Sequence, residues 1–511
     1  MKKLINKCRT YMAGGGCGFV KKAASKLLHV DLIKYNRYYL THKPSKQKLI
    51  SQREKICEGA PLISVVVPAF RTKPAFMRRL IASVMNSSYE NWELIIADGS
   101  GYERTQEEYP ELENVVNSAS GGDKRVIYKR LEENLGIAGN TNEAIALARG
   151  EWIVFCDHDD ELSADALYGI YHVAKKKPSV DLIYSDEDKI DERGLHYDPH
   201  FKPEFDMELL RNVNYISHMT AVKRSLLESV GVLNGEYDGA QDYDFILRAV
   251  EKATCIHHIS HVLYHWRCHR GSTASDMSTK TYAIDAGRRA LQAHLDRTGD
   301  AGTARDGALA GTYRVTYELE KLPDIAIVKT SKNTIPVVDI SAYRDKLILF
   351  VDNSVEITDE LLGVLAGNCM RQGVGAVGTL IGDGAKIVQG GFVYGVGDTF
   401  TGVPLGEPGY MGRLLMSRSV SALSGKCMMI RGELFYRAGG IDTNMGNSWD
   451  RDLCVKCSDM REKVLILPET VTIPEASVDA VSEAFERRYA DTQDRWYNRA
   501  FSKKSPGFEL I

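Results

Sequence analysis

The chain has 511 residues, 44% of them hydrophobic and 26% charged, with a net charge of −3; that length exceeds one ordinary core and implies two or three domains. No run approaches the ~18 consecutive apolar residues of a membrane-spanning helix, and the start Met1-Lys2-Lys3-Leu4-Ile5 lacks the ~7–15-residue apolar stretch of a secretory signal. The ten cysteines are scattered, as expected of free thiols in a reducing cytoplasm; the single Cys-x-x-Cys, Cys454–Cys457, has no second pair beside it to complete a zinc site.

Charge is unevenly spread. Residues 1–55 hold 14 Lys and Arg against 2 acids, which leaves the other 456 residues at −15. This basic arm (1–58) carries an amphipathic pattern, Val20, Ala23, Ala24, Leu27 and Leu28 among Lys21, Lys22 and Lys26. It fits either an anionic membrane surface at the inner face of the membrane or a solvated helical arm packed on the next domain. The excess ends before the globular region begins, which argues against nucleic acid.

The first strand signal is Ile63-Ser64-Val65-Val66-Val67-Pro68, a β-branched run of the kind buried on both faces of a parallel sheet. Pro74 opens a helix with Phe76, Leu80, Ile81 and Val84 on one face. Trp92–Ala97 reads as a strand ending at Asp98, Val126-Ile127-Tyr128 as a short strand, Gly139–Ala148 as a helix, and Trp152–Cys156 as the next strand. This alternation predicts an α/β unit with a mostly parallel sheet over 59–300, closed by a helix at about 279–297. Ligands of such sheets sit beyond the carboxyl ends of the strands, where Asp98 and Asp157-His158-Asp159-Asp160 both fall. The Gly- and Ala-rich stretch 301–322 reads as a linker. A second α/β unit is expected over 323–475, with a helical tail at 476–511.

The two units repeat one another. Phe155-Cys156-Asp157-His158-Asp159-Asp160-Glu161 lines up with Phe350-Val351-Asp352-Asn353-Ser354-Val355-Glu356, and Asp242-Tyr243-Asp244-Phe245 with Asp450-Arg451-Asp452-Leu453. The first copy runs from Ile63 to Asp157 before its acids, the second only from Ile325 to Asp352.

Three acids within four positions repel one another unless a hard divalent ion relieves them. The same residues also suit a solvated loop ahead of a helix capped by Ser163. Downstream, Gln241-Asp242 opens a helix, where Asp242 is a cap or a general base. Arg267 and His269, in Tyr264-His265-Trp266-Arg267-Cys268-His269-Arg270-Gly271-Ser272, suit an anion and a metal edge.

In order along the chain, Val67-Pro68, Asp98, the loop Asn134–Asn140, Asp157-x-Asp159-Asp160, Gln241-Asp242 and Trp266-Arg267-x-His269-x-x-Ser272 resemble family 2 glycosyltransferases. The resemblance covers about residues 60–298. It implies the nucleotide-diphospho-sugar transferase fold, GT-A, and an inverting transfer from a nucleoside diphosphate sugar. Tyr184-Ser185-Asp186-Glu187-Asp188-Lys189 and Tyr264–Arg267 look like a bacterial subgroup that builds rhamnose-containing and other surface polysaccharides. A glycan or lipid-linked glycan is then the implied acceptor.

By this resemblance Pro68, Asp98, Asn134, Asp157 and Arg267 bind the nucleotide sugar. Asp157, Asp159 and His269 hold Mn²⁺ or Mg²⁺, Asp242 is the base, and Asp186 and Asp188 face the acceptor. The second unit resembles that subgroup's tandem C-terminal transferase domain, with Ser354 in place of the second metal-binding Asp and most of the nucleotide half missing. That makes the unit an inactive copy. Two alternatives stand beside this reading. One is a non-catalytic carbohydrate-binding scaffold, against which Asp159 and Asp242 count. The other is a nucleotidyltransferase, against which the glycine-free Ala69-Phe70-Arg71-Thr72-Lys73 counts.

Overall fold

The computed structural model describes residues 30–100, 112–269, 281–332, 334–474, 476–504 and 507–511. The apolar and basic positions 20–28 of the arm and Arg270-Gly271-Ser272 lie outside them. Among the described residues no helix is long and apolar enough to cross a membrane.

Strands β1 (Ile63–Ala69), β2 (Trp92–Asp98), β3 (Val126–Arg130), β4 (Trp152–Phe155), β5 (Glu161–Leu162), β6 (Leu182–Ile190), β7 (His196–His200), β8 (Thr220–Lys223) and β9 (Ile256–Arg267) form one sheet. Its order is β3-β2-β1-β4-β8-β6-β9-β5, with β7 on β6. The β1–β2, β2–β3, β1–β4 and β6–β9 ladders are parallel; those of β8, β5 and β7 are antiparallel. Every residue of β1 and β2 is buried, because helices cover both faces of the sheet. Val65 and Val67 pack with Met77, Leu80 and Ile81 on one side, while Val66, Ile95 and Ile153 pack with Ala144, Tyr243 and Ile246 on the other. Alternate side chains of one strand thus feed two cores.

The stretch expected as a linker is a hairpin, β10 (Thr303–Asp306) with β11 (Tyr313–Thr316). Ala304 and Tyr313 join the first core through the helix Thr281–Thr298, whose Gly287 leaves room for the Tyr313 hydroxyl.

Strands β12 (Ile325–Thr330), β13 (Leu347–Asp352), β14 (Val374–Gly382), β15 (Ile387–Gln389), β18 (Arg418–Ser419), β19 (Cys427–Arg431) and β20 (Lys463–Thr472) build a second sheet, ordered β12-β13-β19-β14-β20-β18, with β15 on β14. A small ribbon, β16 (Phe392–Val393) and β17 (Gly397–Asp398), stands apart. Strand directions repeat those of the first sheet. The run β12-β13-β19-β14-β20 is parallel, antiparallel, antiparallel and parallel in turn, as is β1-β4-β8-β6-β9. Among the described residues between β12 and β13 there are no counterparts of β2 and β3. Cys454 and Cys457 are buried on the helix Trp449–Asp459.

The units are tied by buried charge. Glu208 takes both Arg371 guanidinium nitrogens at 2.8 and 2.9 Å and Lys463 at 3.0 Å. The Tyr410 hydroxyl accepts from the Phe201 N–H at 2.8 Å and donates to the Pro199 carbonyl at 3.0 Å. The described part of the N-terminal arm is packed on the first unit: Tyr35 donates to Asp188 at 2.8 Å and Lys48 to Asp165 at 3.0 Å. The tail expected to be helical has one described helix, Glu483–Arg488; beyond it, Asn498 donates to both oxygens of Asp186 at 3.0 Å.

Candidate active site

A cavity of about 80 Å³ opens at the carboxyl ends of β1 and β4, lined among others by Pro68, Ile137, Asp157, His218, Gln241 and Asp242. Asp157 lies two residues past the end of β4, and Asp242 lies in the first turn of the helix Gln241–Lys252. That helix is held to the core by Phe245, Ile246 and Ala249, so Asp242 is presented to the cavity half-buried. Asn214 donates to Asp242 Oδ2 at 2.9 Å. Burial pushes the Asp242 carboxyl above the usual carboxylate range, against the opposing pull of His218. Asp244 is fully committed elsewhere, to Arg248 at 2.7 Å.

The acid loop is braced from below. Asp160 is completely buried; its carboxylate accepts from the Tyr264 hydroxyl and, at 2.7 Å, from the Arg267 N–H. Burial, then Asp159 and Asp157, push Asp160 well above the usual range. Arg267, expected at the diphosphate, is instead fully buried. Its guanidinium bonds the Asp159 carbonyl at 2.7 Å, the Asp191 carbonyl at 3.2 Å and the Glu161 carboxylate. It is a strut under the loop, because strand β9 enters beneath the acids rather than beside the cavity.

Asp159 and His269 meet at the loop's outer edge, 2.8 Å apart, with Phe76 against the imidazole. Asp157 faces His218, whose Nε2 lies 3.6 Å away. Asp157, Asp160 and His218 bring donor atoms within 4.8 Å of one another, but the bonds from Tyr264 and Arg267 already engage Asp160. Asp157 beside His218 and Asp159 beside His269 form two carboxylate–imidazole pairs on this loop, and carboxylate and imidazole are the donor chemistry a divalent ion takes.

Pro68 lies in the cavity. Asp98 is next to it in register, since Ala69 pairs with Asp98, but it is buried and accepts from the Tyr128 hydroxyl at 2.7 Å and the Ser100 N–H at 3.0 Å. Asn134 is exposed and shapes its own loop, accepting from the Gly136 N–H at 3.2 Å and Asn140 at 2.9 Å. The loop's cavity contacts are Ile137 and Thr141 instead. Gly136 is required there: its φ is +75°, and a Cβ would stand 2.5 Å from Asp238. Asp186 and Asp188, expected at the acceptor, are buried; His258 bonds Asp186 at 2.7 Å, and His196 and His265 bond Asp188 at 2.8 and 2.6 Å. They anchor the arm and the tail to the sheet. Ser163 is not the cap of the next helix, whose N-cap is Asp165.

His218 is the residue that sequence reasoning missed. It stacks on Tyr264 with ring centroids 4.6 Å apart and lies between Asp157 and Glu187, 3.6 Å from each. Burial opposes its charge, but hydrogen bonding to Asp157 and Glu187 outweighs burial and holds the imidazole well above the usual histidine range. In return His218 keeps the Asp157 carboxyl low despite burial. A lone histidine in Ser217-His218-Met219 carries no motif; the repeat was the available signal, since a second cation, Lys426, falls at the corresponding place.

A three-layer α/β sheet with an acid loop and a facing carboxylate at its strand ends defines a GT-A nucleotide-diphospho-sugar transferase fold. Residues 64–231 match the model of the family described as Glycosyl transferase family 2. The match lies within the first unit and includes the acid loop. It is 32% identical over 479 residues to the uncharacterized protein y4gI of Sinorhizobium fredii, covering 80% of this chain and 52% of that protein. It is 27% identical over 478 residues to the O-antigen biosynthesis protein RfbC of Myxococcus xanthus, covering 81% of this chain and 37% of that one. An uncharacterized glycosyltransferase of Haemophilus influenzae is 25% identical over 266 residues, covering 50% of this chain and 84% of its own length. The chain thus spans about half the length of y4gI and less of RfbC.

Proposed function

We propose that the chain transfers a sugar, with inversion, from a nucleoside diphosphate sugar to a growing surface polysaccharide or lipid-linked glycan. The observation that carries this reading is the placement of Asp242 and Asp157 on one cavity. A carboxylate raised by burial faces the acid loop across the space a donor sugar would fill. The relative named for O-antigen biosynthesis supports the class of acceptor.

Asp242 takes the proton from the acceptor hydroxyl as that oxygen attacks the anomeric carbon, and Asn214 fixes the carboxylate's orientation. Asp157, Asp159 and His269 would hold Mn²⁺ or Mg²⁺, which when bound neutralises charge on the departing diphosphate. His218 adds positive charge on the same side, and Arg267 keeps the acid loop rigid beneath. The non-catalytic reading belongs to the second unit, where Ser354 donates to Asp352 at 2.7 Å in place of a second acid. The basic excess of the arm supports peripheral association with an anionic inner membrane face. Because residues 34–53 pack on the first unit, that role falls to the residues before Val30.

The test is a screen of nucleoside diphosphate sugars with Mn²⁺, reading nucleoside diphosphate release. Turnover with one donor, abolished by chelation and restored by Mn²⁺ or Mg²⁺, is expected. Full turnover in excess chelator overturns the metal assignment. Deleting residues 1–29 should release the protein from anionic liposomes at low salt while leaving turnover intact; a full-length protein that ignores such liposomes disproves the membrane role.

A further inference from the structure

The second unit keeps a cleft where the first has its active site. In the first unit four elements meet: the end of β1 at Pro68, the residue Asp157 past β4, Ser217 and His218 before β8, and Gln241-Asp242 at a helix start. The second cleft is bounded by the end of β12 at Thr330, the end of β13 at Asp352, Gly425 and Lys426 before β19, and Trp449-Asp450 at a helix start. Strand register makes this a residue-level match. Phe155 pairs with Thr220, and Phe350, likewise two residues before its acid, pairs with Met428. Two residues further back on each partner strand stand His218 and Lys426. Both are cations among carboxylates, since Lys426 pairs with Asp479. Asp450 takes the place of Asp242 and accepts from the Gly425 N–H at 2.8 Å.

A disused cleft between packed elements is free to fill, because interiors close to crystal-like density. This one has not. Its volume is about 210 Å³, against about 80 Å³ in the first unit. Its walls offer hydroxyl, amide, ammonium and carboxylate groups, from Thr330, Asn447, Lys426, Asp352 and Asp450 among others. What the unit lacks is the nucleotide side, the strands that would carry counterparts of Asp98, and the second metal acid. What it retains is the side where, in the first unit, the acceptor hydroxyl meets its base. Such a mixed donor and acceptor set suits the hydroxyls of a neutral sugar.

We propose that this cleft binds a pyranose unit of the glycan, without nucleotide or metal, and holds the chain being extended. The proposal rests on the reading of the Asp242 side as the acceptor side. It is tested by saturation-transfer NMR on the full chain in chelator, with methyl glycosides of hexoses, 6-deoxyhexoses and N-acetylhexosamines as probes. Three proteins are compared: the unaltered chain, the first-site pair Asp157→Ala with Asp242→Asn, and the second-site variant Asp352→Asn. Asp450→Asn serves as a second such variant, and melting curves verify that each is folded. At least one glycoside should give a signal that survives the first-site pair and weakens about tenfold or more in a folded second-site variant. No signal from any glycoside, or a signal that only the first-site pair removes, overturns the proposal. Nucleoside diphosphate release by the unaltered chain, measured separately, shows whether the catalytic reading itself stands.

Discussion

Asp242 occupies a place where ionisation is disfavoured, and that has two measurable consequences. Asp242→Asn should cut turnover by ~10²-fold or more while donor binding survives, because proton removal is lost and shape is kept; near-normal turnover would place the base elsewhere. The same variant should also be more stable at neutral pH. The folded pKa is raised, so the carboxyl's contribution to stability is fully present below its ordinary pKa of ~3.9 and is lost as pH rises through the folded value. Melting temperatures of the two proteins should therefore converge in acid and separate at neutral pH. Arg267→Lys should lower stability by ~1–3 kcal/mol, since one ammonium cannot replace a fork bonded to the Asp159 carbonyl, the Asp191 carbonyl and Glu161. It should also raise the metal concentration needed for half-maximal turnover. A melting curve and metal titration matching those of the unaltered protein would disprove the strut. At this scale the sequence showed which residue types gather but not which way they point. A motif names Asp157, Asp159, His269 and Asp242, and the structure brings Asp157 and Asp242 to one cavity and Asp159 to His269. The burial of Arg267 and Asp188 was not legible, because a charged residue on a strand looks the same in sequence whether it braces the fold or faces a cavity.

Strands β1 to β4 of the first sheet were legible as elements, since β1, β2 and β4 are continuous apolar runs, whereas β5 to β9 were not read as strands. The helix opening at Gln241 was read as well. The hairpin β10–β11 was not, because its residues Thr303-Ala304-Arg305-Asp306 alternate weakly and sit among glycines. Its order comes from the helix it covers rather than from its own propensity. Gly287 makes that dependence testable. A Cβ there would stand 1.9 Å from the Tyr313 hydroxyl, so Gly287→Ala should destabilise the chain by ~1–3 kcal/mol through overpacking. An unchanged melting temperature would mean the hairpin does not dock as described.

Across the whole molecule, Glu208 clamps the two units. Its carboxyl is held far below the ordinary range by Arg371 and Lys463, which outweigh the cost of burial. Its contribution to stability is therefore complete above the ordinary pKa of 4.5 and fades only as pH falls toward the folded value. Glu208→Ala leaves Arg371 buried without its partner and should weaken the docking of the units by ~3–5 kcal/mol. Calorimetry should then resolve two unfolding transitions where the unaltered chain shows one, and a single unchanged transition would show that the clamp is dispensable. The repeat was visible in sequence, as was its shortened front; that the second unit keeps an open cleft was not, because volume depends on how side chains from four elements meet. The position of the missing strands also bears on how such proteins change. In the first sheet β3 and β2 form one margin, beyond β1, so the chain between Ala69 and Trp152 could be excised without interrupting any ladder among β1, β4, β8, β6 and β9. The second unit has the shape such an excision would leave. A fold whose outer strands form a detachable flank can lose them in one genetic step with its remaining ladders intact, leaving a descendant free to serve the ancestral partner in another capacity.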